Sequence, residues 1–354
     1  TMRTLPMAAL VMCSLLVSSG SLSGCGDGST DYGPTLSEDS SETQADLSAT
    51  SLKDGLVATW ELVRIELRDP AEGVLPAPEP PAFGSGGAIG QAVLDDAGRI
   101  GVAIMQQGRT KGGQLSPKEA LADLEGYTAF FGTYTVNETE GLITVHFEGH
   151  RDPRLTGMRE TYTAALVGEE LTVSRNSGRG DVQSISVWRR VPELADLTPV
   201  HRRVIGFWRH VPNDGNTVDE PTLRLGFIIY TSAGRMMVHL MDPQRSVYEG
   251  DRPTPEEAQA TVGSYTSYFG PFSVNEDGGY FVHHRIGHTV DLTDRPMLER
   301  RTGTETDAQR FFEFVDNRMV LRFLSTAGVQ PPPSPGEPPF RGMITWERFA
   351  PRAQ

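Results

Sequence analysis

Apolar positions along this chain follow two periods. At Ala120, Leu124, Tyr127 and Phe131 they fall 4, 3 and 4 residues apart, which lines one face of a helix. Ser116 ahead of the run can accept an otherwise unpaired backbone N–H. Pro117 suits the first helical position, and Glu119 completes a capping box. Gly132 suits a left-handed helix end. The pattern predicts a capped helix up to Gly132, then a short strand over 133–136. The same arrangement returns 138 residues later (116 to 254). Thr254, Pro255 and Glu257 form the cap, Ala258, Val262, Tyr265 and Phe269 the face, and Gly270 the stop, with Pro271 forbidding continuation. A shared cap, face, stop and strand at one offset point to a domain carried twice.

Elsewhere the apolar runs are short and end at turn residues. They predict strands at 59–68, 90–94, 99–106, 142–148, 159–167, 170–174 and 182–191 in the first copy. In the second they predict strands at 204–210, 225–231, 235–241, 272–274, 279–285, 310–315, 318–324 and 342–349. Asp95-Asp96-Ala97-Gly98, Gly168, Ser232-Ala233-Gly234 and Asp316-Asn317 supply turns, and 70–81 and 331–339 are proline-rich loops. The organisation read from these signals is a first domain at 55–191, a linker at 192–203 and a second domain at 204–350. Many short antiparallel strands, one helix and tight turns suggest a mainly β fold in which each copy closes, or nearly closes, into a barrel. A pair of open α+β sandwiches is the other arrangement.

The first 54 residues follow neither period. Arg3 is followed by an apolar run from Leu5 to Val17, too short to span a bilayer, and then by Leu22-Ser23-Gly24-Cys25. This resembles the lipobox of bacterial lipoproteins. The resemblance implies removal of residues 1–24, lipidation of Cys25 and attachment to a membrane through that anchor. Gly26 lacks the Asp associated with inner-membrane retention, which implies the outer membrane, facing the periplasm. Residues 25–54, rich in Ser, Thr, Asp and Glu, read as a tether. With Cys13 removed and Cys25 acylated, no thiol remains for a disulfide, a zinc site or a nucleophile. The net charge of −14 argues against a nucleic-acid partner, which would need clustered Lys and Arg.

Gly206-Phe207-Trp208 resembles the G-x-W of lipocalins, and Ala58-Thr59-Trp60 is its counterpart. Val187-Trp188-Arg189-Arg190 and Thr345-Trp346-Glu347-Arg348 stand near the domain ends. Together with Tyr230-Thr231-Ser232-Ala233-Gly234-Arg235 and the duplicated helix, they resemble bacterial lipocalin-like domains. The resemblance implies two tandem lipocalin-like antiparallel barrels, with Arg190 packed on Trp60 and Arg348 on Trp208. The first copy departs from the pattern at Ala58 and around 84–90.

Chemistry is sparse. His146 and His150 recur as His284 and His288 at the same offset. Alternation puts residues four apart on one face, but about 13 Å apart, too far to share a metal. Either His146 and His284 are polar wall positions, or they are pocket groups that donate to a ligand or act as a base. Tyr127, Phe131, Tyr265 and Phe269 either pack the helix on the barrel or line the cavity mouth. Met105 and Met241, like Met236 and Met237, offer an adaptable apolar lining or plain core. Glu148 and Asp152 beside the histidines could do acid–base work or sit at a solvated strand end. No Gly-x-Ser-x-Gly elbow or phosphate loop is present, and no cofactor, metal or catalytic group is indicated. The leading expectation is a lipid-anchored envelope protein that binds a small hydrophobic or amphipathic molecule. A barrel enzyme of cyclase, isomerase or hydratase type, or an interaction protein with filled barrels, are the alternatives.

Overall fold

The computed structural model describes residues 51–75, 87–107, 115–211, 224–250, 252–289, 307–324 and 340–349. The leader, Cys25, residues 26–50 of the expected tether and the 331–339 loop lie outside these residues, while 51–54, also expected to be tether, form the cap and start of a helix. Each copy is a closed ring of eight antiparallel strands. In the first ring, β1 (Ala58–Asp69), β3 (Ala88–Leu94), β4 (Arg99–Gln106), β5 (Tyr127–Asn137), β6 (Leu142–His150), β7 (Arg159–Val167), β8 (Glu170–Arg179) and β9 (Val182–Arg190) pair in order. β9 returns to β1 with Arg190 opposite Trp60. The short β2 (Gly73–Leu75) folds back on the overlong end of β1, inside the stretch expected to be loop.

The second ring repeats the plan. It runs β10 (Gly206–His210), β11 (Leu225–Tyr230), β12 (Arg235–Met241), β13 (Tyr265–Asn275), β14 (Tyr280–His284), β16 (Asp307–Val315), β17 (Arg318–Leu324) and β18 (Phe340–Arg348). Closure is β10 on β18, with Trp208 opposite Arg348. The two-residue β15 (Gly287–His288) continues the line of β14 along β13.

A short helix precedes the first strand of each ring: α1 (Leu52–Leu56), and α3 (Pro199–Val204) inside the expected linker. The Trp60 indole N–H donates to Leu56 O at 3.0 Å, and that of Trp208 to Val204 O at 2.7 Å. Arg190 lies over the Trp60 ring at 4.8 Å and Arg348 over Trp208 at 4.5 Å. Arg190 also donates to Gly55 O and Val57 O, and Arg348 to Ile205 O and Arg203 O. Each arginine therefore ties the last strand, the first strand and the entering helix into one plug.

The duplicated helices are shorter than the apolar spacing predicts. α2 is Pro117–Glu125 and α4 is Pro255–Val262, both with complete capping boxes on Ser116 and Thr254. They stop at Gly126 and Gly263, not at Gly132 and Gly270. Tyr127–Phe131 and Tyr265–Phe269 belong to strands, because each pairs along its whole length with the preceding hairpin strand. The aromatic run carries both periods, and long-range pairing prevailed over helix propensity.

Strand parity then sorts those aromatics. Phe130 and Tyr134 point into the first barrel. Tyr127, Ala129 and Phe131 point outward, where they meet Phe227, Ile229, Met237, Met241, Tyr265 and Phe269 in one buried cluster. The two barrels thus pack through the same face of each copy. The Tyr127 hydroxyl donates to Ser267 Oγ at 3.2 Å across this junction, and Gln91 Nε2 donates to Met236 O at 3.1 Å.

Candidate functional site

The first barrel holds an open-mouthed cavity of about 990 Å³, rim included. Its floor is apolar, formed by Leu94, Val102, Phe130, Ile143, Val145, Leu171 and Trp188. Its upper wall is polar. On β7 and β8, the Tyr162 hydroxyl donates to Glu160, and Arg175 Nη1 donates to Glu160 Oε1 at 2.9 Å. Burial and the Glu160 charge raise the Tyr162 phenol well above its ordinary value, so it stays a protonated donor. Ser186 accepts from the Trp188 indole N–H at 2.9 Å and donates to Val173 O at 3.3 Å, so this wall serine is already bonded.

The second domain supplies part of the rim. Tyr248, Arg252 and Pro253 border the first barrel's cavity. Arg154 Nη1 donates to Gly250 O at 3.2 Å, and its guanidinium lies over the Tyr248 ring at 4.4 Å. Arg154 Nη2 also pairs with Asp152 Oδ2 at 2.7 Å. Arg245 donates to the carbonyls of His150 and Arg151 and, at 2.7 Å, to Thr156 Oγ1. The 242–253 segment is therefore clamped onto the loop that follows β6.

The second barrel carries bulkier side chains at matched inward positions, three of which (Ala92, Leu94 and Ile143) line the cavity of the first. Register places Ile228, Tyr230, Phe281, Phe312 and Phe314 where the first barrel has Ala92, Leu94, Ile143, Ala164 and Leu166. Phe281 stacks on Phe312 at 4.4 Å, and Tyr230 meets Phe272 edge-on at 4.9 Å. Fully buried His283 holds the Tyr230 hydroxyl on Nε2 at 2.8 Å and the Tyr268 hydroxyl on Nδ1 at 3.2 Å. Burial, then Arg310 and Arg285, hold its pKa well below the ordinary imidazole value. That places a neutral histidine inside the packed core.

The structure separates the histidines that the sequence pairs. His146 sits between inward Val145 and Phe147, on the outer wall of β6, and does not border the cavity. His284 is likewise outside, with Nδ1 2.9 Å from Asp307 Oδ1 and Nε2 3.0 Å from Ser273 Oγ. His150 borders the cavity instead. The strict alternation expected for 146 and 150 fails because Glu148 is an extra residue, a bulge between the pairs Gly132–Phe147 and Phe131–Gly149. One extra residue inverts side-chain parity, so His150 turns inward opposite Phe130. The cue was Gly132: a glycine inside a strand marks a bulge or a close backbone approach. Asp152 lies just past β6 and accepts from Arg154, which lowers its pKa through the Arg154 and Tyr248 hydrogen bonds despite burial.

The aromatic candidates are also redistributed. Phe131, Tyr265, Phe269 and Met241 lie in the junction between barrels, with Met105 packed against it. Tyr127 lies in the junction and also borders the cavity. None of them packs the helix alone, because odd positions of β5 and β13 face outward. Glu160, Tyr162, Arg175 and Tyr248 carry no local motif, and only barrel closure brings them to one cavity.

These features define a class: a tandem pair of closed eight-stranded antiparallel barrels, one holding a cavity and one packed with its own side chains. The chain belongs to the lipocalin-like domain family, whose model matches residues 57–191 and again 204–349. Among solved structures, a tryptophan-to-alanine mutant of the vaccine antigen transferrin binding protein B from Haemophilus parasuis is similar at 7% identity. That match covers 82% of this chain and 75% of the other, with a TM-score of 0.21. A protein of unknown function from the DUF3598 family of Nostoc punctiforme is similar at 12% identity, over 83% of this chain and 97% of the other, with a TM-score of 0.17. No curated protein matches the chain.

Proposed function

We propose that this protein binds a small hydrophobic or amphipathic molecule in its first barrel, and that the second barrel is a filled partner that completes the rim. The observation that carries this reading is the 990 Å³ cavity, lined by Ala92, Leu94 and Ile143 where the homologous barrel has Ile228, Tyr230 and Phe281. A volume near 1,000 Å³ is at the upper end of small-molecule sites, and an apolar interior with few polar groups binds by burial. Emptying a core of side chains costs stability, so a hollow barrel beside a packed copy of itself favours a binding role. The Glu160, Tyr162 and Arg175 group and the Tyr248 rim offer orienting contacts. Organic extraction of protein purified from its native envelope, followed by mass spectrometry, tests the reading. A stoichiometric apolar species is expected. An empty protein that also fails to take up any apolar probe would sink it.

The N-terminal pattern supports export and lipid anchoring at Cys25, with the tether holding the barrels off the membrane surface. Cys25→Ser is expected to release the protein from the membrane fraction. Persistence in that fraction would reject the anchor.

A further inference from the structure

We propose that His150 is the polar anchor of the first barrel's site, and that its ligand is an uncharged, largely apolar molecule bearing a carbonyl-type acceptor such as a ketone or ester. This rests on the reading of that barrel as a binding site. His150 is 8% exposed and borders the cavity. Its Nδ1 accepts the Asp152 backbone N–H at 2.9 Å, which leaves the ring's proton on Nε2. Phe130 lies parallel to the ring at 5.7 Å, and Phe147 meets it edge-on at 5.1 Å, so the imidazole plane is fixed from two sides. Among the described residues none accepts the Nε2–H, and this donor is not one of the fully buried unpartnered atoms, so it is open to the cavity that His150 borders. A ligand oxygen at that point can take the hydrogen bond in a surrounding of apolar side chains.

The charge pattern selects the ligand class. Glu160 is already occupied by Tyr162 and Arg175, and Asp152 by Arg154. Glu125 and Arg252, which also border the cavity, are opposite in sign. An ionised head group beside His150 would lose its hydration, and the nearest cation, Arg245, is already committed to the carbonyls of His150 and Arg151 and to Thr156 Oγ1. Burial in this aromatic setting holds the His150 pKa down at about 4, so near neutral pH the ring offers a neutral donor. A neutral acceptor on an apolar body fits both the point contact and the floor of Leu94, Val102, Ile143 and Trp188.

The test uses the whole protein and three probes of equal chain length: tridecane, 2-tridecanone and tridecanoate. Affinities are measured by calorimetry for the wild type and for His150→Phe, which keeps an aromatic ring but has no donor. The ketone-to-hydrocarbon affinity ratio is expected to fall about three- to tenfold in the variant, the worth of one hydrogen bond. An unchanged ratio, or tridecanoate binding more tightly than the ketone to the wild type, overturns the proposal. If His150→Phe does not fold, nitrogen-15-histidine spectra of the wild type decide instead. The His150 Nε2–H resonance should move with bound ketone and not with bound tridecane, and a resonance that ignores the ketone overturns the anchor. Hydrocarbon binding without these ketone effects removes the anchor alone. Failure of all three probes to bind removes the binding reading and the anchor with it.

Discussion

A Cβ placed on Gly132 would lie 2.0 Å from the carbonyl oxygen of His146 and 2.9 Å from the Glu148 backbone nitrogen. Gly270 stands in the same relation to His284, at 2.0 Å and at φ +157°. The glycine is thus the space into which the bulged strand folds, and the bulge is what turns His150 into the barrel. Phe131 and Phe269 cover the neighbouring Gly149 and Gly287 so closely that a Cβ there would meet the rings at 2.3 and 2.2 Å.

Gly132→Ala is therefore expected to cost about 2–4 kcal/mol, because backbone, not a flexible side-chain end, must move. Gly157→Ala, at φ +83° with open space around it, should cost only about 1 kcal/mol from the left-handed backbone alone. Urea unfolding of both variants provides the comparison. Equal losses would show that the close approach is not what Gly132 is for.

The contrast between a hollow and a packed barrel can be exchanged at one position. Ile143→Phe puts into the first barrel, on its cavity wall, the ring that Phe281 provides in the second, and should weaken probe uptake while costing about 1–3 kcal/mol. Phe281→Ala should instead destabilise by about 3–5 kcal/mol, since it opens a void beside Phe312 and Tyr230 in the packed core. Calorimetric titration and urea midpoints read the two effects. Undiminished uptake in Ile143→Phe would place binding elsewhere.

Buried histidines, His283 of the second core among them, set an acid limit. Burial lowers His150 from 6.5 to about 4 and His239, at the junction between barrels, to about 3. Above pH 6.5 both are neutral in folded and unfolded chains, and the stability is fully present. As the pH falls below 6.5, the unfolded chain binds protons that the fold refuses. Stability then declines by up to about 1.4 kcal/mol per pH unit per histidine, down to roughly pH 4 for His150 and lower for His239. His239 Nδ1 meets the Tyr265 hydroxyl at 3.0 Å, while Nε2 is buried without a partner. His239→Leu should flatten the dependence measured between pH 7 and pH 5, and an unaltered slope would assign it to other groups.

The Trp–Arg plug gives a further comparison. Arg190→Lys keeps the charge but loses the planar stack on Trp60 and the two carbonyl bonds, so a loss of about 1–2 kcal/mol is expected. A double-mutant cycle with Trp60→Phe separates ring stacking from carbonyl bonding. A coupling energy near zero would mean that the stack adds nothing.

Much of the architecture is local and therefore legible in the chain. The capping boxes on Ser116 and Thr254, the turns at Gly98 and Gly234, and the repeated offset announce two copies of one strand-rich domain, because caps and turns are satisfied by neighbours in sequence. Trp60, Trp208, Arg190 and Arg348 were legible through a family resemblance, since they close the ring in both copies. What a side chain faces was less legible. The run from Tyr127 to Phe131 fits both a helix and a strand, and pairing with β4 decided for the strand. His146 and His150 share a face by alternation, yet a bulge across from Gly132 separates them, because parity depends on the partner strand. The cavity belongs entirely to tertiary structure: it is the volume left when Ala92, Leu94, Ile143 and Val145 meet across a closed ring. No one of those residues signals space until the others surround it.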